Sequence, residues 1–369
     1  LIGVVAGAVA GAAMASGVAT RPLADLDAYR EKLDQSVFRS ALIMRPVFEA
    51  AASTTRRIVF AEGEDERVIR AAHAMREEMT DTPILIGRPD VIAARAERAG
   101  LKPEAVDGFE LVNPESDARY REYWETYHAL MARRGVTPDL ARAIMRTNTT
   151  AIGAVMVHRG DADSLICGTF GQYLWHLKYV TELLGTSVLH PVAALSLMIL
   201  EDGPLFVADT QVHPDPEPEE VVETVMAAAR HVRRFGVEPK IALCSTSQFG
   251  NLDCATGRKM RRAIEILDHK GVDFAYEGEM HIDTALDPVL RARIFPDARL
   301  DGPANTLIFA NTDAAGAVRN VLKAKARGLE VGPILMGMGN RANIVTPSIT
   351  ARGLLNISAL AGTPVSHYG

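Results

Sequence analysis

Four short stretches of this 369-residue chain carry residue types able to do chemistry. Ser245-Thr-Ser-Gln-Phe-Gly250 sets hydroxyls and a glycine directly after an apolar run. At the carboxyl end of a parallel strand such residues contact phosphate or a pantetheine chain, and they equally cap helices by satisfying free amides. Gly337-Met-Gly-Asn-Arg-Ala-Asn343, trailed by Thr346-Pro-Ser-Ile-Thr350, offers two glycines for close backbone approach and Arg341 for pairing with an anion. Glu277-Gly-Glu-Met-His-Ile-Asp283 gathers acids and one His after a strand, a set fit for proton transfer; a polar loop mouth is the better reading. Gly63-Glu-Asp-Glu66 also joins a strand to a helix. Free amides there can hold an anion, but three carboxylates repel one, so helix-start chemistry is favoured.

Other chemistries lack their signature. There is no GxGxxG and no GxxxxGK[ST], so neither a dinucleotide fold nor a P-loop ATPase is supported. The ten histidines show no HxxxH or HExxH spacing, and Cys167, Cys244 and Cys254 form no CxxC pair. No metal site can be argued from them. His73 falls in a helical pattern and reads as a surface or packed residue.

The hydrophobic pattern supplies a scaffold for these stretches. β-rich runs at Ile58–Glu62, Pro83–Gly87, Phe109–Val112, Ala154–His158, Leu165–Cys167, Leu205–Ala208, Ile241–Cys244, Phe274–Glu277, Thr306–Phe309 and Pro333–Met336 predict strands. Helical patterns such as Asp65–Met79, Arg88–Ala99, Glu219–Phe235, Lys259–Lys270 and Ala314–Ala326 lie between them. Such alternation implies βα units, parallel sheet and an α/β class. His213-Pro-Asp-Pro-Glu-Pro218 reads as a surface connection leading into a helix whose first turn holds Glu219 and Glu220. Residues 1–55 contain helical segments and no clear strand.

Composition bounds the function classes. Hydrophobic residues at 48% and charged residues at 23% exclude a disordered chain. A net charge of -6 argues against the broad basic face of a nucleic-acid binder. The uncharged run from Leu1 to Thr20 is Ala- and Gly-rich, so a packed helix is expected rather than a membrane span. Cysteine scarcity suits a cytoplasmic location. The start at Leu points to upstream sequence.

From Arg57 onward the chain resembles phosphate acetyltransferases, which move acetyl between phosphate and coenzyme A. The resemblance rests on Gly160-Asp-Ala-Asp163 with Gly168, Tyr276-Glu-Gly-Glu279 with Asp283, Ala304-Asn-Thr-Leu-Ile-Phe309, and Gly332-Pro-Ile-Leu with Gly337. Ile58-Val-Phe-Ala-Glu-Gly-Glu64, Pro83-Ile-Leu-Ile-Gly-Arg-Pro89 and Thr147-Asn-Thr-Thr150 look like the acetyltransferase-like carboxyl-terminal region of large bacterial malic enzymes. Ala13-Met-Ala-Ser-Gly-Val-Ala-Thr-Arg-Pro22 looks like the tail of their catalytic part. The resemblance implies two parallel-sheet α/β/α subdomains of phosphate acetyltransferase type after a short helical segment. Residues 1–55 would be tail and linker, 56–190 with 336–369 the first subdomain, and 191–335 the second.

Departures from the transferase pattern bear on function. The family's Asn-Asp-Leu-Ser-Arg-Gly aligns with Asn343 to Ser348, so Ser becomes Thr346 and Arg becomes Pro347, while a later acid becomes Gly353. An earlier Arg becomes Lys178 in Gly171-Gln-Tyr-Leu-Trp-His-Leu-Lys178. Proline carries no charge, and Lys lacks the planar fork that grips phosphate. One lost stabilising donor costs about 10²–10³ in rate. The resemblance therefore implies a degenerate transferase that binds acetyl-CoA as an allosteric inhibitor, and the missing nucleotide fingerprint predicts no dehydrogenase activity for the chain alone. Its ligand candidates are Thr169, Gln172, Tyr173, Lys178, Ser245, Thr246, Asn340, Arg341, Asn343 and Thr346. It also implies a parent that converts malate to pyruvate with NADP and Mg or Mn held elsewhere, a homodimer or larger assembly, and neither nucleic-acid nor membrane partners. The alternatives are an active transferase with an altered catalytic set and a purely structural oligomerisation module.

Overall fold

The computed structural model describes residues 2–20, 23, 25–102, 105–185, 191–325 and 329–363. Two compact units divide the chain, residues 1–45 and 46–369. The first holds helix α1 (Ile2–Ala15), whose end is tied off by the Ser16 hydroxyl donating to the Ala12 carbonyl at 2.8 Å. Helix α2 (Leu26–Ala51) follows and carries Pro46 within it. Among the described residues no helix is long and apolar enough to cross a membrane.

The second unit is α/β and built on two sheets. In the first, β1 (Arg57–Phe60), β2 (Thr82–Ile86), β3 (Glu110–Val112), β4 (Ser164–Cys167) and β11 (Ala342–Ile344) lie in the order β11-β4-β1-β2-β3. Every pairing is parallel, so all carboxyl ends open on one edge. Strand order reverses between β1 and β4, and in such sheets the crevice forms there. Helices α3 (Glu66–Glu78), α4 (Pro89–Arg98), α5 (Tyr120–Met131), α6 (Pro138–Thr147), α7 (Thr149–Arg159) and α8 (Tyr173–Leu184) accompany it. Asp65 caps α3 by accepting from the Arg67 amide at 2.8 Å, which is the helix-start role expected of Gly63–Glu66. Strands β1 and β4 are buried almost throughout, as apolar strands covered on both faces should be.

The second sheet has the order β10-β5-β6-β9-β7-β8, formed by β5 (Ala193–Ile199), β6 (Pro204–Ala208), β7 (Lys240–Cys244), β8 (Ala275–Met280), β9 (Thr306–Phe309) and β10 (Leu329–Met336). It is mixed rather than purely parallel, because β5 runs antiparallel to both β6 and β10. Helices α9 (Pro218–Arg233), α10 (Ala255–Lys270), α11 (Ile282–Leu286), α12 (Pro288–Ile294) and α13 (Thr312–Lys325) belong to this half. The Pro-rich loop ends where expected: Pro218 opens α9, and Glu217 with Glu220 forms a capping box. Helix α14 (Ala351–Gly362) is buried from Gly353 to Gly362.

One expected strand is a helix. Ala154–His158 lies inside α7, whose residues from Thr150 to Met156 are all buried. A helix apolar on every side has the same sequence texture as a buried strand. Strands β5 and β11 were not expected. Glu277 and Glu279 stand within β8 instead of after it, and both are buried.

Candidate functional site

The crevice between β1 and β4 is floored by an acid. Glu62, just past β1, accepts the Gly168 amide at 3.1 Å through each oxygen and the Thr169 amide at 3.4 Å. Burial outweighs these bonds and pushes its pKa up to about 7. Gly168 follows β4 with φ +103°, and a Cβ there would stand 2.4 Å from the Val345 carbonyl oxygen. Only glycine lets the loops after β4 and β11 approach so closely.

Arg67 laces the crevice together. Its guanidinium holds the Asp65 carboxylate at 3.0 and 2.6 Å, the Thr169 carbonyl at 3.0 Å, and the Pro347 and Ile349 carbonyls at 2.6 and 2.9 Å. His176 stands behind, between the Thr150 hydroxyl and the Phe170 carbonyl, each at 2.8 Å. A carbonyl only accepts, so Nε2 carries the proton, and burial holds the ring's pKa below its usual value.

The structure gathers part of the expected ligand set here. Thr169, Tyr173 and Asn343 are buried, Thr346 is half-buried with its hydroxyl 3.2 Å from that of Ser348, and Gln172 is exposed at the start of α8. Among the described residues, the Tyr173 hydroxyl and the Asn343 amide nitrogen have no hydrogen-bond partner. Burial raises the Tyr173 pKa well above its usual value, with the nearby Asp209 carboxylate adding to the effect. Lys178 is exposed further along α8. Pro347 is exposed, and Gly353 sits in the first turn of α14, where a Cβ would come within 2.7 Å of Ile349 Cδ1.

Ser245 and Thr246 lie apart, at the carboxyl end of β7. They do not cap α10; Cys254 does, its sulfur accepting the Gly257 amide at 3.3 Å. Thr246 is exposed, and its carbonyl lies 2.9 Å from His281 Nε2. At the end of β6, two strands from β7 in the sheet, Asp209 accepts the Ala194, Gln211, Val212 and His213 amides at 2.9–3.1 Å and faces His213 Nδ1 at 3.0 Å. Its carboxylate raises the His213 pKa. Glu279 is engaged by the Ser247 hydroxyl, the Gly250 amide and Arg261, at 2.5, 3.0 and 2.8 Å, so it serves packing.

Asn340 and Arg341 precede β11 and therefore stand at the opposite edge of the first sheet from Thr346. Asn340, at φ 60°, donates to the Thr363 carbonyl at 3.2 Å and its hydroxyl at 3.1 Å. Arg341 donates to the Leu184 carbonyl at the end of α8. Sequence reasoning missed Glu62, Arg67, Asp209 and His213. Arg67 reads as an ordinary first-turn helix residue, and only the fold brings Pro347 to it. Among the described residues no group of three or more His, Cys, Asp or Glu side chains converges to hold a metal ion.

Two sheets with a crevice at the β1/β4 reversal define an α/β protein of phosphotransacetylase architecture. A solved phosphotransacetylase from Streptococcus pyogenes superposes with a TM-score of 0.78 at 24% identity, covering 87% of this chain and 97% of its own. The phosphate acetyl/butaryl transferase family profile matches residues 42–362, and the chain belongs to that family. It is 49% identical over 365 residues to an NAD-dependent malic enzyme from Rhizobium meliloti (strain 1021), covering 98% of this chain and 47% of the relative. An NADP-dependent malic enzyme from Escherichia coli (strain K12) is 43% identical over 363 residues, covering 98% of this chain and 48% of the relative. The chain thus spans about half the length of these relatives.

Proposed function

We propose that the chain is the acetyl-CoA-binding regulatory region of an NADP-dependent malic enzyme, with acetyl transfer lost. The observation that carries this reading is Pro347 at the position of the family's Arg. The loop there presents the Pro347 carbonyl to Arg67 in place of a guanidinium. Positioned positive charge carries most of the stabilisation in acyl-phosphate chemistry, and a proline supplies none. Binding capacity is a separate matter. The buried Tyr173 hydroxyl and Asn343 amide, without partners among the described residues, are groups that a bound molecule would satisfy. Malate oxidation to pyruvate, with its NADP and divalent metal, belongs on this reading to a part of the enzyme outside this chain. A homodimer gives acetyl-CoA two states to discriminate, and the setting is the cytoplasm.

Calorimetric titration with acetyl-CoA tests the reading: saturable heat supports it, and absence of heat favours a structural module instead. One observation favours an active transferase. Thr346 keeps a hydroxyl, and Arg67 brings a guanidinium to the same loop. A coupled assay with acetyl phosphate and CoA separates the two, since enzyme-like acetyl-CoA formation overturns the regulatory reading.

A further inference from the structure

Beside the crevice, over the carboxyl ends of β1, β2 and β3, lies a cavity of about 430 Å³. That volume suits a small organic molecule. Ala61, Ile86 and Pro114 give it apolar walls, and Phe170, 60% exposed, stands at its rim. Three helices begin at it: Asp65 and Arg88 cap α3 and α4, and Thr149 is the first residue of α7. Their amino ends bring partial positive charge to one place.

Three of the four carboxylates in the wall are already engaged; the fourth, Glu115, is exposed. Glu64 holds Arg88 through both oxygens at 2.9 and 3.0 Å, Asp65 holds Arg67, and Glu62 turns to the Gly168 and Thr169 amides. Two guanidiniums in the wall have, among the described residues, carbonyls as their hydrogen-bond acceptors. Arg95 donates to the Glu64 carbonyl at 2.6 Å, and Arg146 to the Pro114 carbonyl at 2.8 Å and to that of Glu115. Carbonyl contacts orient a guanidinium without neutralising it, although the nearby Glu64 carboxylate already feels the Arg95 charge.

We propose that this cavity is a second ligand site, for a small organic anion with a carboxylate or phosphate head on an apolar body. The head would meet Arg95 and Arg146, and the body would lie along Ile86 toward Phe170. The cavity shares Glu62 with the crevice, but the proposal does not depend on the acetyl-CoA reading.

Titration of the whole chain with benzoate, phenyl phosphate and neutral benzyl alcohol at about pH 7 tests the proposal and separates the two head groups. At least one anion should bind with an affinity that falls as salt is added, while the alcohol should not bind. Arg146→Gln and Arg95→Met should each weaken binding about tenfold or more. Arg142→Gln, one turn earlier in the same helix with its guanidinium over Trp124 and absent from the cavity wall, should leave binding unchanged. Arg146 is exposed, held by loop carbonyls and by the Tyr120 ring 3.6 Å away, so its variant should lower the melting transition only slightly. Absence of heat with both anions, equal binding of the alcohol, insensitivity to both variants, or displacement of the probe by acetyl-CoA would each overturn the proposal.

Discussion

Arg67 shows how one side chain can hold a crevice in shape after its chemistry has changed. Its guanidinium joins the start of α3, the loop after β4 and the loop after β11. Arg67→Ala should cost about 1–3 kcal/mol, the usual cost of leaving charge-assisted partners unmet. Urea denaturation would measure it, and a loss below about 0.5 kcal/mol would mean the lacing is dispensable. Glu62 acts in the opposite sense. Its folded pKa, about 7, lies above its ordinary 4.5, so the folded protein keeps this proton longer than the unfolded chain does. The resulting stability is fully present below pH 4.5 and is lost as pH rises toward 7. Glu62→Gln cannot titrate and should gain on the parent by something on the order of 2–3 kcal/mol between about pH 5 and pH 8. Equal pH slopes for the two proteins would refute this.

Among the elements, β11 depends most on a single backbone atom. Its partner β4 runs into Gly168, whose left-handed conformation and contact with the Val345 carbonyl exclude any Cβ. Gly168→Ala should destabilise by about 2–4 kcal/mol, seen as a lowered melting temperature with unchanged secondary structure. That dependence also explains why β11 was illegible in the sequence. Three residues between a glycine-containing turn and a Thr-Pro loop carry no period, and their strand identity comes entirely from pairing with β4. Strand β5 was hidden for another reason: Ala193-Ala-Leu-Ser-Leu-Met-Ile199 is rich in helix formers, and tertiary pairing overrides that preference. The βα alternation, the α/β class and the helix starts were legible because apolar periodicity and capping chemistry are local. The crevice was only half legible. Thr169, Tyr173 and Thr346 follow strands or open a helix, whereas Asn343 sits within β11 and Arg67 reaches the crevice across 280 residues of sequence. Asn340 and Arg341 carry the right groups on the wrong side of a three-residue strand.

In the second unit as a whole, Arg234 rivets the two halves. It caps α9 beside the second sheet, yet donates to the Leu360 carbonyl of α14 at 2.7 Å, to the Thr363 hydroxyl, and to the Asn340 side chain at 3.4 Å. Arg234→Met should cost about 2–4 kcal/mol, because the acceptors it serves are buried. Calorimetry should also show the single unfolding transition broadening into two; a sharp single transition at the parental temperature would count against the rivet.

The path of the chain imposes an order on its own making. Strand β11 and helix α14 complete the first sheet and its covering, but they follow every strand of the second. A nascent chain leaving the ribosome therefore holds an unfinished amino-terminal half while the later half assembles. Buried faces of β4 and α3 stay uncovered until the last segment emerges, and chaperones would meet their apolar residues during that interval.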